Sequence, residues 1–216
     1  LRFTKVTSID SAHDAEDRLF VMFHGYGNDE YEMIRIMAAI DPEADYISFR
    51  GVVERPYLGG DAWYGKDDTD EEIQRQCSAI GDEVVDMLDS TALHNKRVIP
   101  IGFSQGGYLA YRLFAEHPEV FDTAVLLSPA FHDPSDADDP DAPSVEESMV
   151  LEDVTDSKPK VFLGYGDLDT EVTPERRQRM RHALSTFADL SDKVYEGMRH
   201  DVCDKEFADI RRFLQN

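Results

Sequence analysis

A chain of 216 residues with 45 Asp and Glu against 22 Lys and Arg carries a formal net charge of −23, which sets it against nucleic acid as a partner. Its length suits one domain that removes roughly 70% of its unfolded surface from water, so Cys77 and Cys203 need not staple it and are expected as free thiols of a cytoplasmic protein. No stretch reaches the ~20 apolar residues that span a bilayer, and residues 1–5 lack the apolar run of a signal peptide.

In chain order, an alternating start leads to residues 18–23, nearly all apolar, as in a central strand buried on both faces. His24-Gly25-Tyr26-Gly27 follows as a loop whose glycines point to a backbone role. Residues 30–40 read as a helix with Tyr31, Ile34 and Met37 on one face. A strand over 45–49 precedes a longer helix over 70–89, with Ile73, Ile80, Val84 and Leu88 at helical spacing. Residues 97–103 form a strand feeding a helix that begins near Gln105 and stops before Pro118. Pro100 inside that strand lacks a ladder donor, which a β-bulge would accommodate. Further strands are expected at 123–127, 160–163 and 193–195, and further helices at 174–188 and 204–214.

Such alternation predicts an α/β domain over residues 1–216, a mostly parallel sheet with helices on both faces. Within it, residues 131–150 contain the run Asp133-Pro134-Ser135-Asp136-Ala137-Asp138-Asp139-Pro140-Asp141, too poor in apolar residues to pack, and are expected as an acidic surface loop. The acids are otherwise spread along the whole chain rather than gathered in a tail. That spread reads as a halophilic surface, because in molar salt the Debye length falls to ~3 Å and self-repulsion is screened. A monomer and a homodimer both fit it.

Gly102-Phe103-Ser104-Gln105-Gly106 matches G-x-S-x-G in the strand–turn–helix setting that a nucleophile elbow requires. A serine hydroxyl needs a base, and the base an orienting acid; in this arrangement they follow in the order Ser, acid, His. Of the histidines after Ser104, His117 sits at a helix end, His132 borders the acidic loop and His182 lies within a helix. His200 comes on the loop after the last predicted strand, at the same sheet edge as Ser104, and is the candidate base. Asp167 and Asp169 both follow the strand at 160–163, and periodicity does not choose between them. The backbone N–H of Gln105 and one from the His24-Gly25-Tyr26-Gly27 loop are the candidate oxyanion donors. Arg176, Arg177, Arg179 and Arg181 point in different directions around one helix and read as solvated, locally paired charges. No His and Cys cluster suggests a metal, and no cofactor is implied.

Taken together, five segments resemble the phospholipase/carboxylesterase family of α/β-hydrolases, which includes acyl-protein thioesterases and small bacterial carboxylesterases. They are Phe23-His24-Gly25-Tyr26-Gly27-Asn28-Asp29, Gly59-Gly60-Asp61-Ala62-Trp63-Tyr64, the elbow with Gly107, Gly166-Asp167-Leu168-Asp169 through Pro174, and Gly197-Met198-Arg199-His200. The resemblance implies a triad of Ser104, Asp169 and His200, with Asp169 chosen over Asp167. It also implies oxyanion N–H groups from Tyr26 and Gln105, and an acyl pocket walled by Trp63 with His24, Gly25 and Phe103 around it. The implied reaction is hydrolysis of a small-molecule carboxylic ester or thioester through an acyl-enzyme. Where thioesterases carry an apolar loop this chain has its acidic patch, which points to short acyl chains. Acyl transfer, amide hydrolysis on the same residues, and a binding module without turnover are the competing expectations.

Overall fold

Alternate residues of the central strands feed two separate cores. Leu19, Val21 and Phe23 face one side of the sheet and Phe20 and Met22 the other, all buried. The same alternation separates Leu126 from Val125 and Leu127, and Leu163 from Phe162. This period of two, with both faces apolar, is the signature of a sheet covered on both sides.

The computed structural model describes residues 5–8, 18–55, 59–90, 93, 96–133 and 158–215. Most of the expected acidic loop, 134–150, lies outside the described residues. The elements in order are β1 (Lys5–Ser8), β2 (Arg18–Phe23), α1 (Glu30–Ile40), β3 (Tyr46–Phe49), β4 (Val53–Glu54), β5 (Asp61–Ala62) and α2 (Asp70–Asp89). They continue with β6 (Arg97–Phe103), α3 (Gln105–Glu116), β7 (Thr123–Leu127), β8 (Lys160–Gly166), α4 (Pro174–Phe187), β9 (Asp189–Tyr195) and α5 (Asp204–Leu214). Seven strands make one sheet, ordered β1-β3-β2-β6-β7-β8-β9, in which only β1 runs antiparallel to its neighbour. Strands β4 and β5 form a separate ribbon. Helices α2, α3 and α4 cover one face, α1 and α5 the other. The strand order turns back between β2 and β6, which opens a crevice at their carboxyl ends, the usual ligand position in an open parallel sheet.

Two local expectations are corrected. Strand β6 pairs one for one with β2 from Arg97 to Gly102, with Val21 opposite Pro100 and no bulge. Strand β7 joins the other edge of β6 only from Ile101 onward, so Pro100 falls where the ladder runs on one side alone. In α1 the buried stripe is Met33, Ile36, Met37 and Ile40, while Tyr31 is half exposed and Ile34 only partly covered. Glu30 shifts the frame: it is buried at the helix start by a two-pronged bond to Arg50, at 2.5 and 2.7 Å.

Glu206, in the first turn of α5, is fully buried against β8. A Cβ on Gly164 would come within 2.0 Å of its carboxylate, so glycine there makes the room. Burial pushes its pKa from 4.5 up to about 8, against the pull of the Cys203 backbone N–H and with help from Asp201 and Asp209. The folded state therefore holds a proton that the unfolded chain releases. Stability from this site is complete below pH 4.5, declines as pH rises, and is fully lost above about 8. Glu206→Gln, which mimics the protonated acid, is expected to match the wild type at pH 4 and to raise Tm by several degrees at pH 9. The difference is on the order of 5 kcal/mol at most. Thermal melts across pH check this, and a Tm difference that does not vary with pH would contradict it.

Candidate active site

Strand β6 ends directly at Ser104, which caps α3 with φ 53° and ψ −112°. A non-glycine residue rarely adopts positive φ, and such backbone strain is on the order of 1–3 kcal/mol. The flanking glycines explain how the turn closes. A Cβ on Gly102 would lie 2.1 Å from the Gly106 carbonyl oxygen, and one on Gly106 would lie 2.2 Å from that of Phe23. Strand, helix and the end of β2 thus meet backbone to backbone. The Ser104 N–H donates to Leu127 O at 2.9 Å, and its own carbonyl accepts from Tyr108 and Ala130. These bonds hold the strained residue in place.

The histidine loop after β9 delivers His200 to this point. Its Nε2 lies 2.7 Å from Ser104 Oγ and its Nδ1 lies 2.9 Å from Asp169 Oδ2. The second Asp169 oxygen accepts the backbone N–H groups of Glu171 and Val172, at 2.9 and 3.2 Å. A carboxylate only accepts, so the Nδ1 proton sits toward Asp169 and the Nε2 lone pair toward the hydroxyl. The Asp169 side chain is fully buried and the imidazole rests against Phe103, ring centres 5.0 Å apart. Asp167 stands apart from this chain. Its carboxylate accepts the Gly197 N–H at 2.7 Å and so braces the turn that carries His200.

Arg177 was expected to be a solvated surface charge. It is buried instead, donating to the carbonyls of Val172 and Gly166, both at 2.9 Å, and of Asp169. Three carbonyls of the aspartate turn converge there, and a planar guanidinium with five donors fits them. Arg181 pairs with Asp192 at 2.6 Å, as a surface arginine should.

The Gln105 N–H opens α3 and so has no acceptor within the helix. The Gln105 side chain is buried, accepting from the Trp63 N–H at 2.8 Å and donating to Tyr64 O at 2.9 Å. Opposite, residues 25–28 are tied down by Glu32 of α1, which accepts the Gly25 N–H at 2.6 Å and the Asn28 amide. Burial raises the Glu32 pKa despite those donors. The Tyr26 ring is exposed beneath the Arg55 guanidinium, 4.3 Å from its centre.

Ser104, Gln105, His200, Gly25, Tyr26 and Phe103 line one cleft of about 430 Å³. Two expected wall residues do not. His24 and Trp63 are fully buried behind the loop. The Trp63 indole N–H donates to His24 O at 2.8 Å; the His24 Nδ1 faces Gly25 O at 2.7 Å, and its Nε2 accepts the Gly51 N–H at 2.8 Å. Both polar side chains need buried partners and find them under the loop, so they support it rather than face the cleft. Desolvation also lowers the His24 pKa, which keeps the ring neutral. The next residue, Tyr64, lines the cleft instead, with His132, Glu171 and Arg176. His132 is held by Asp70 at 2.8 Å, His117 lies between Asp82 and Glu119, and His182 is exposed. Both cysteines are free, and among the described residues no group of three His, Cys, Asp or Glu side chains is placed to hold a metal.

Glu32 is a site residue that the sequence did not single out, while Tyr64 stood there only as the end of the Gly59–Tyr64 segment and Arg177 only as one of four arginines on a helix. The one signal for Glu32 was a carboxylate four residues beyond Asn28, and nothing marked Arg177 among its neighbouring arginines.

The α/β-hydrolase architecture is shared with many solved structures. A carboxylesterase from Mesorhizobium loti superposes with a TM-score of 0.70 at 20% identity, over 93% of this chain and 90% of that one. Acyl-protein thioesterase 2 of Zea mays gives 0.72 at 18% identity, over 98% and 97%. At those identities the likeness is one of fold. A family model described as phospholipase/carboxylesterase matches residues 4–216, and the chain belongs to that family. Acyl-protein thioesterase 1 of Mycosarcoma maydis is 27% identical over 150 residues, 67% of this chain, which spans 58% of that relative's length. Among the described residues no helix is long and apolar enough to cross a membrane.

Proposed function

We propose that the protein hydrolyses short-chain carboxylic esters or thioesters, with Ser104 as nucleophile, His200 as general base and then acid, and Asp169 as the group that orients and stabilises the imidazolium. The observation that carries this is the continuous chain of two short contacts, 2.7 Å and 2.9 Å, from the serine hydroxyl through the imidazole to the buried carboxylate. Ser104 Oγ attacks the carbonyl carbon while His200 Nε2 takes its proton. The negative charge that develops on the carbonyl oxygen is met by the N–H groups of Gln105 and Tyr26, each such donor contributing about 2.7–4 kcal/mol. Collapse of the tetrahedral intermediate expels the alcohol or thiol, to which the imidazolium returns the proton. Water then attacks the acyl-enzyme by the same route and frees Ser104.

Positive φ at Ser104 supports turnover over a binding-only role, because strain of that kind is stored where a side chain must be held for chemistry. The polar cleft wall of His132, Glu171 and Arg176 supports short acyl groups over long ones. Free thiols at Cys77 and Cys203 suit a reducing, cytoplasmic setting, and the charge of −23 suits assay in strong salt. A panel of 4-nitrophenyl esters from acetate to decanoate, run from 0.1 to 3 M salt, tests the proposal. The expected result is a kcat/KM that peaks at or below six acyl carbons. A maximum at decanoate would overturn the short-chain assignment.

A further inference from the structure

The cleft at Ser104 differs in charge from the rest of the molecule. In a chain with a net charge of −23, its charged lining among the described residues is Lys66 and Arg176 against the carboxylate of Glu171. Two neighbouring clefts follow the acidic majority. One, beside Trp63, is lined by Arg50 against Glu54, Asp61 and Glu83, and the other, beyond Phe103, by Arg35 against Glu32 and Asp201. Among these three clefts, the one at the reacting serine is where described cations outnumber carboxylates.

Arg176 is placed in a way that helix stability does not explain. It stands in the first turn of α4, three residues after its Thr173 cap, where the helix dipole already presents positive charge and a carboxylate is the favoured neighbour. It is half-buried, unlike Arg181 it makes no ion pair among the described residues, and its field acts on both Tyr64 and His132 in the cleft wall. Lys66 is exposed at the rim and likewise has no ion-pair partner among the described residues. Among the described lining residues, two cations against one carboxylate leave one positive charge in excess, which suits a monoanion.

From this placement we propose that the enzyme selects esters that themselves carry a carboxylate near the scissile bond, with Arg176 as the specificity-determining residue and Lys66 as its rim partner. The proposal rests on the esterase assignment above. The guanidinium binds the substrate carboxylate through parallel N–H donors, a geometry that a lysine at the same position reproduces only as a point charge. Esters of dicarboxylic acids or of hydroxy acids are the resulting substrate class.

Titration of the acid released from matched alkyl esters tests it. Monoethyl succinate against ethyl succinamate places the charge on the acyl side, and O-acetylglycolate against its amide places it on the alcohol side. In at least one pair the charged ester is expected to exceed its neutral isostere about tenfold in kcat/KM. Arg176→Gln should reduce that ratio to near one, Arg176→Lys should keep part of it, and Lys66→Gln should lower it by a smaller factor. An equal ratio in the wild type for both pairs, or a ratio untouched by Arg176→Gln, would overturn charge selection while leaving the esterase assignment intact. A merely structural Arg176 would lower both members of a pair together and leave the ratio in place. Absence of turnover on all four esters and on the aryl ester panel would instead remove the esterase assignment, and this proposal with it.

Discussion

Ser104→Ala is expected to lower kcat on a short-chain ester by about 10⁶-fold while leaving the melting temperature close to that of the wild type. The loss is large because no other described hydroxyl or thiol stands at His200 Nε2, which lies 2.7 Å from Ser104 Oγ. Cys77 is buried in the core, and burial pushes its thiol far above the usual range. Removing the oxygen leaves the backbone intact: the Leu127, Tyr108 and Ala130 hydrogen bonds are all made by main-chain atoms of residue 104. Alanine tolerates φ 53° no better than serine, so the strain is unchanged in the variant. Initial rates with circular dichroism melts check both halves. A residual rate within a hundredfold of the wild type would show that another nucleophile operates.

Asp169→Asn should lower kcat by about 10⁴-fold with little change in KM. Two backbone donors, the N–H groups of Glu171 and Val172, converge on one oxygen of Asp169. In the variant they select the amide oxygen and so turn the amide NH₂ toward His200 Nδ1. A donor facing Nδ1 forces the ring proton onto Nε2, where it meets the Ser104 hydroxyl, and the imidazole is no longer able to accept. The defect is thus one of tautomer, reached with the site's geometry nearly intact. Asp167→Asn removes no proton acceptor of His200 and is the matching control, because the Asp167 carboxylate binds the Gly197 turn and, among the described residues, no other group. A larger loss at residue 167 than at 169 would reverse the assignment of the two aspartates.

Much of this architecture was visible in the residues. Strand β6, helix α2 and strand β7 have the limits that apolar runs and helical spacing gave, since each is buried by the rule its pattern obeys. Polar strands were harder to see. β9 begins at Asp189 rather than 193 because it is an edge strand whose Asp-Leu-Ser-Asp-Lys start is half solvated, so no hydrophobic alternation marks it. β8 runs on through Gly164 and Gly166, glycines that read as its end, because the sheet carries Gly166 opposite Tyr195 and Gly164 leaves room for Glu206. At the site, chain order and the elbow motif pointed to Ser104 and His200, and the two aspartates were separable only through the resemblance. The misplaced residues share one cause. The Trp63 indole donates to a carbonyl and His24 Nε2 accepts an amide N–H, both from distant segments, and Arg177 answers three carbonyls of a turn. Such partners are set by tertiary placement, and no local pattern encodes them.

The central claim is that the Ser104 hydroxyl is activated by His200. Incubation with a fluorophosphonate, followed by intact-mass and peptide mass spectrometry, measures it most directly. One adduct per chain, on Ser104, absent from Ser104→Ala and strongly slowed in Asp169→Asn, is the expected result. An unmodified Ser104 in the folded wild-type protein, or labelling that survives its replacement, would contradict it.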